Sequence, residues 1–113
     1  MNNFLLKESV KLLKVLSDFT RFSILKLLKE ERKSSSELEE ILDKSQSTVS
    51  KHLKILKEAD LISSKRKGRR KYYGVKNPRI LEIIAAIKNF VIQQKKAQLE
   101  SLKDLSVSDT LFD

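Results

Sequence analysis

Only three residues, Asp43-Lys44-Ser45, stand between two short segments that each carry apolar residues at helical spacing. Before them, Ser36 lies three residues ahead of Glu39, a capping-box spacing, with Leu38, Ile41 and Leu42 as the apolar stripe. After them, Ser45 is placed to cap a helix running to about Ala59, with Val49, Leu53 and Leu56 on one side. A connection this short holds the two helices at a steep angle.

The second of these helices opens on Ser45, Gln46, Ser47, Thr48 and Ser50, although Ser and Thr each cost a helix roughly 0.5 kcal/mol against Ala, because their hydroxyls compete for backbone hydrogen bonds. With Val49 at the centre of the buried arc, Leu53 and Leu56 fall within about 40° of it, while Ser47, Ser50, Lys51 and Lys54 fall roughly 100° to 200° away. Taken alone, such a face is the solvated side of a surface helix. Its setting favours a groove-reading face: hydroxyls and amides exchange hydrogen bonds with base edges, and Lys neutralises phosphates on the rims.

The charge supports that setting. The net charge is +9, and residues 44 to 79 hold twelve cations against two anions, while the segments on either side are nearly balanced. A basic field confined to one third of a chain marks a surface for a polyanion, nucleic acid before others. Six of the cations, Lys65, Arg66, Lys67, Arg69, Arg70 and Lys71, surround Gly68 in "LISSKRKGRRKYYGV", which has strand-like residues on both sides and no helical period. This is a two-stranded hairpin with a basic tip, suited to phosphate or minor-groove contact. Tyr72 and Tyr73 alternate across its second strand, so one can pack beneath the hairpin while the other faces outward.

The flanks are helical. Leu5, Leu6, Leu12, Leu13 and Leu16 mark a first helix from Asn2, and Asp18 offers an N-cap to a second containing Phe22, Leu25 and Leu28. Pro78 suits the first turn of a last helix with Ile80, Ile83, Ile84, Ile87, Phe90 and Val91 in a wide stripe, resumed at Leu99, Leu102 and Leu105. At 1.5 Å per residue it would extend ~40 Å, longer than so small a domain covers. The fold expected is therefore mainly α with a small β-hairpin, in the order α-α-α-α-β-β-α. Residues 1–105 would form a single domain with a dimer interface at its terminal helices, and 106–113 a flexible tail.

Several function classes drop out. The chain has no cysteine and one histidine, so thiol chemistry and disulfides are excluded and no acid/base pair with a nucleophile can be assembled. There is no Gly-rich phosphate loop. His52 borders the buried arc and reads as a packing residue or phosphate partner, while Glu37, Glu39, Glu40 and Asp43 gain from the helix dipole rather than forming a cation site. The sequence points to no enzyme, no cofactor and no metal. No apolar run reaches the ~18 residues of a membrane span, and Lys and Glu interrupt the opening segment where a signal peptide needs apolar residues, so a cytoplasmic protein without membrane contact is expected.

Three stretches, "LKVLSDFTRFSILKLL" from Leu13, "SSSELEEILDKSQSTVSKHLKILKEADLI" and "KGRRKYYGVKNP", together resemble the ArsR/SmtB-type winged helix-turn-helix repressors over about residues 10 to 80. The resemblance implies a homodimer whose terminal helices pack together, each subunit presenting a recognition helix to a major groove, with Gln46, Ser47, Ser50 and Lys51 at the family's base-reading positions. Phe19 stands where many members have Pro. Members that sense metals use cysteines on the third helix, here "SELEEIL", or His and carboxylates on the last, which here has no His. The function expected is a sequence-specific double-stranded DNA-binding transcriptional regulator, a homodimeric repressor on a palindromic operator, with an architectural DNA-binding protein as the alternative. The recognition helix would use Gln46, Ser47, Thr48, Ser50, Lys51 and Lys54, and the wing Lys65, Arg66, Lys67, Arg69, Arg70 and Lys71. The dimer interface would use Leu5, Leu6, Leu13, Ile84, Ile87, Phe90 and Val91.

Overall fold

The computed structural model describes residues 3–112, with side chains described from 3 to 105. Its elements are α1 (Asn3–Leu16), α2 (Phe19–Glu30), β1 (Lys33–Ser34), α3 (Ser35–Leu42), α4 (Gln46–Glu58), β2 (Ile62–Lys67), β3 (Arg70–Val75) and α5 (Arg79–Phe112). This is a winged helix-turn-helix. The chain divides into two compact units, one ending at Leu81 and the other, which is the body of α5, beginning at Glu82.

Helix starts follow the capping side chains. Asp18 accepts the Arg21 N–H at 3.0 Å and Ser45 accepts the Thr48 N–H at 3.2 Å, each satisfying a donor that the first turn leaves without a helical partner. The turn between α3 and α4 closes at Asp43, whose φ of 52° puts it in the left-handed region with its N–H directed at the Glu39 and Glu40 carbonyls. Asp tolerates that conformation better than most residues. In the first unit, Ile24, Leu25, Leu38, Val49, Leu56 and Ile62 are the largest fully buried side chains, so both helices of the turn and the first strand of the wing share one core.

Three features differ from the sequence reading. The sheet has three antiparallel strands in the order β1-β3-β2, because Lys33 and Ser34 pair with Tyr73 and Tyr72. The capping box of α3 is Ser34 with Glu37, not Ser36 with Glu39: Ser34 Oγ accepts the Glu37 N–H at 3.2 Å, and Glu37 Oε1 lies 3.4 Å from the Ser34 nitrogen. The strand pairing explains the register, since it holds Ser34 extended at φ −77° and ψ 163° and the helix begins at the next residue. Finally, α5 does not end at Leu105 but continues to Phe112, with no Gly or Pro after Pro78 to stop it. The side chains from 106 on, and Asp113, lie outside the described residues.

Asp18 also gives the fold a pH dependence. The Arg21 backbone N–H holds its carboxyl below the usual range, burial opposes this, and His52 and Arg21 add to the lowering. A carboxylate with a depressed folded-state pKa stabilises the fold fully above its unfolded pKa of ~3.9, and that contribution is lost as the pH falls through the lower folded value. Asp18→Ala is expected to cost about 1 kcal/mol at pH 7. Asp18→Asn, which keeps the acceptor but cannot titrate, should show a shallower stability loss in urea titrations carried from pH 5 into acid.

Candidate nucleic-acid interface

Helix α4 buries Val49, Leu53 and Leu56 and leaves Gln46, Ser47, Ser50, Lys51 and Lys54 exposed on its other side. The polar opening serves two purposes. Ser45 Oγ, besides capping, lies 2.9 Å from Thr48 Oγ1 and 3.2 Å from Ser47 Oγ. Thr48 is half-buried in this hydroxyl cluster, where its hydroxyl also supports the helix start.

His52 ties the helix inward. Its Nδ1 is 3.1 Å from Arg21 Nη1 and 3.8 Å from Asp18 Oδ2, and the same guanidinium donates to the Val15 carbonyl at 2.7 Å and the Lys14 carbonyl at 3.2 Å. His52 thus joins α4 to the corner between α1 and α2.

The wing turns at Gly68-Arg69. Gly68 has φ 65° with open space where a Cβ would sit, so backbone conformation alone calls for glycine in this two-residue turn. The pairing of β2 with β3 runs from Ile62↔Val75 to Lys67↔Arg70, and side chains alternate between the faces. Ile62 is buried, so its face, shared with Ser64, Lys71 and Tyr73, is the inner one. Ser63, Lys65, Lys67, Arg70, Tyr72 and Gly74 share the outer face. The expected hairpin patch is therefore two patches, and both tyrosines are half-buried, one on each face.

A small cleft of about 170 Å³ lined by Ser50, Leu53, Lys54, Lys57, Lys71 and Tyr73 joins the recognition helix to the inner wing face. Lys57, which the sequence reading passed over, donates to Ser64 Oγ at 3.1 Å. Its place about 80° from Val49, at the centre of the apolar arc, was the available signal. Among the described residues, the ion pairs join Lys11 to Glu8, Arg21 and His52 to Asp18, Lys33 to Glu31 and Lys76 to Asp60. None involves a cation on the outward face of α4 or on the wing, so that surface keeps its positive charge.

On the terminal helices, Leu5, Leu6, Leu13, Ile87, Phe90 and Val91 are all exposed apolar side chains. Ile84 is not: at 6% exposure in the single chain it leaves nothing for a partner to cover. The described residues contain no group of three or more His, Cys, Asp or Glu able to hold a metal and no helix long and apolar enough to cross a membrane.

Residues 18–64, from the cap of α2 through the first half of β2, match the family model of the bacterial regulatory protein, arsR family. The transcriptional repressor SdpR of Bacillus subtilis (strain 168) is 37% identical over 78 residues, 69% of this chain and 87% of the relative. The chain belongs to the arsR family. Among solved structures, M. tuberculosis Rv0081 superposes with a TM-score of 0.80 at 26% identity, covering 84% of this chain and 96% of that one. Mb0332 from Mycobacterium bovis, a homodimeric winged helix-turn-helix DNA-binding domain, has the same fold, with a TM-score of 0.76 at 22% identity over 83% of this chain and 87% of its own. As an arsR-family protein the chain is a DNA-binding transcriptional regulator, and its relatives and fold are those of regulators rather than enzymes.

Proposed function

We propose that this arsR-family protein is a homodimeric repressor that binds a palindromic operator, reading bases with Gln46, Ser47, Ser50 and Lys51 and gripping phosphates with Lys54, Lys57 and the wing cations. The observation that carries this reading is the joining of the exposed polar face of α4 to Lys71 on the inner wing face across one cleft, with no carboxylate among the described residues paired to any of these cations. A surface that served only for solubility would gain by interspersing acids. The exposed apolar faces of α1 and α5 support a dimer, as does the homodimeric Mb0332 domain, and the repressor SdpR supports the direction of control. Ile84 is left out of the proposed interface and Thr48 out of the reading set. Selection of bound fragments from random duplex tests it: the enriched sequence should be two-fold symmetric, with half-sites separated by about one helical turn or a multiple of it. Failure to enrich any sequence would favour the architectural reading instead.

Regulation by a thiophilic metal does not fit the donors present. The chain has no cysteine, and the Nδ1 of its one histidine is engaged by Arg21, whereas zinc sites are built from several Cys, His and carboxylate ligands. Operator affinity should therefore stay within about twofold when zinc, cadmium or arsenite is added or a chelator is present, measured by fluorescence anisotropy. A large metal-selective change would reveal a site assembled from carboxylates of two subunits.

A further inference from the structure

Arg21, on the first turn of α2, reaches two other helices at once. Its Nε and Nη2 donate to the carbonyls of Val15 and Lys14 in the last turn of α1, where carbonyls have no helical partner. Its Nη1 lies 3.1 Å from His52 Nδ1 on α4 and 4.0 Å from the Asp18 carboxylate that caps its own helix. Both side chains are largely withdrawn from solvent, at 14% exposure for Arg21 and 12% for His52. Beside this junction α1 and α4 leave a cleft of about 550 Å³ between them, lined by Leu12, Val15, Ile55 and Ala59 among others. Apolar packing therefore does not close the space between these two helices, and the guanidinium bridges it.

The bridged helices have different tasks. Helix α1 carries Leu6 and Leu13 of the proposed dimer face, and α4 carries the proposed base-reading residues, with Ser50 and Lys51 immediately before His52. We infer that Arg21 and His52 are positioning residues that fix α4 against the dimer helix and so set the separation between half-sites that the homodimer accepts. This rests on the homodimeric DNA-binding reading above and adds to it a determinant of spacing that lies outside the base-reading set. A planar guanidinium directs its N–H groups along a fixed fork, which a single ammonium cannot do, so the strut is stiff. Moving a half-site by one base pair displaces it by about 3.4 Å and rotates it by roughly 35° about the duplex axis. A dimer whose α4 is held firmly cannot follow both changes, and one half-site is lost.

The test uses the full chain, the selected operator, the same operator with one base pair inserted or removed between its half-sites, and a duplex carrying a single half-site. The parent should bind the selected spacing at least about tenfold more tightly than either altered one, because a lost half-site forfeits the effective concentration of the second contact. His52→Leu keeps bulk beside the buried arc but offers Arg21 no polar atom. It should cut that preference at least about threefold while single-half-site binding stays within about twofold, since only the linkage between sites is loosened. His52→Asn, whose amide reaches the position of Nδ1, should restore the preference. Arg21→Lys, which keeps the charge but not the fork, should act as His52→Leu does. A purely structural role, or a phosphate contact made by His52 itself, would weaken every duplex by the same factor and leave the preference where it was. That result would overturn the inference, as would Leu and Asn variants that behave alike. A parent chain indifferent to spacing would overturn the homodimeric reading and this inference together, whereas a sharp parent preference retained by His52→Leu overturns this inference alone.

Discussion

A variant carrying Phe90→Glu and Val91→Glu should sediment as a monomer at tens of micromolar and bind the operator 10² to 10⁴ times more weakly than the parent chain. Both side chains are exposed, so the substitutions remove no core packing, and the first unit with its recognition helix should keep its unfolding midpoint. The size of the loss follows from linkage: two half-sites held by one dimer act with a high effective concentration that separate monomers lack, worth roughly that factor. Leu13→Glu on α1 should act in the same direction. A doubly substituted protein that remained dimeric would move the proposed interface away from α5.

The second large effect separates reading from gripping. Arg66→Ala with Lys71→Ala, a directly paired couple on the wing, should weaken operator and random duplex by the same factor and lower the salt slope by up to ~0.9 for each phosphate left without its cation. Specificity should survive. Gln46→Ala or Ser50→Ala should instead cost about 1 to 3 kcal/mol on the operator wherever the side chain makes a good base hydrogen bond, with little change on random sequence. Of the two, Gln46 is the first residue of α4 and Ser50 lines the cleft toward Lys71, so Ser50 is the better placed to share its hydroxyl with a phosphate, and its share of the specificity should be the smaller.

What could be read from the chain depended on how far each signal reached. The helix pair around Asp43-Lys44-Ser45, the caps at Asp18 and Ser45 and the turn at Gly68 rest on local chemistry, and the structure has them where the spacing put them. The cap of α3 was misplaced because three consecutive serines offer the same chemistry at each register, and only the pairing of Ser34 with Tyr72, distant in sequence, selects among them. The same long-range pairing hid β1, which at two residues is too short to show a period. An apolar stripe on α5 does not distinguish side chains covered by the chain itself from those left open, which is why Ile84 and Ile87 read alike and differ in exposure. Gly74 was unreadable for a related reason: a Cβ there would lie 2.9 Å from Cγ and Cζ of Arg32, which stands forty-two positions earlier within "EERK" as one charge among four.

The most direct test of the central claim is a competition titration of the parent chain at physiological salt, with labelled operator challenged by unlabelled operator and by random duplex of equal length. A sequence-reading regulator should prefer its operator by at least about 10³, and that preference should shrink in the Gln46→Ala variant while the affinity for random duplex holds. A ratio near one, unchanged by Gln46→Ala, would contradict the account: α4 would then be gripping DNA without reading it.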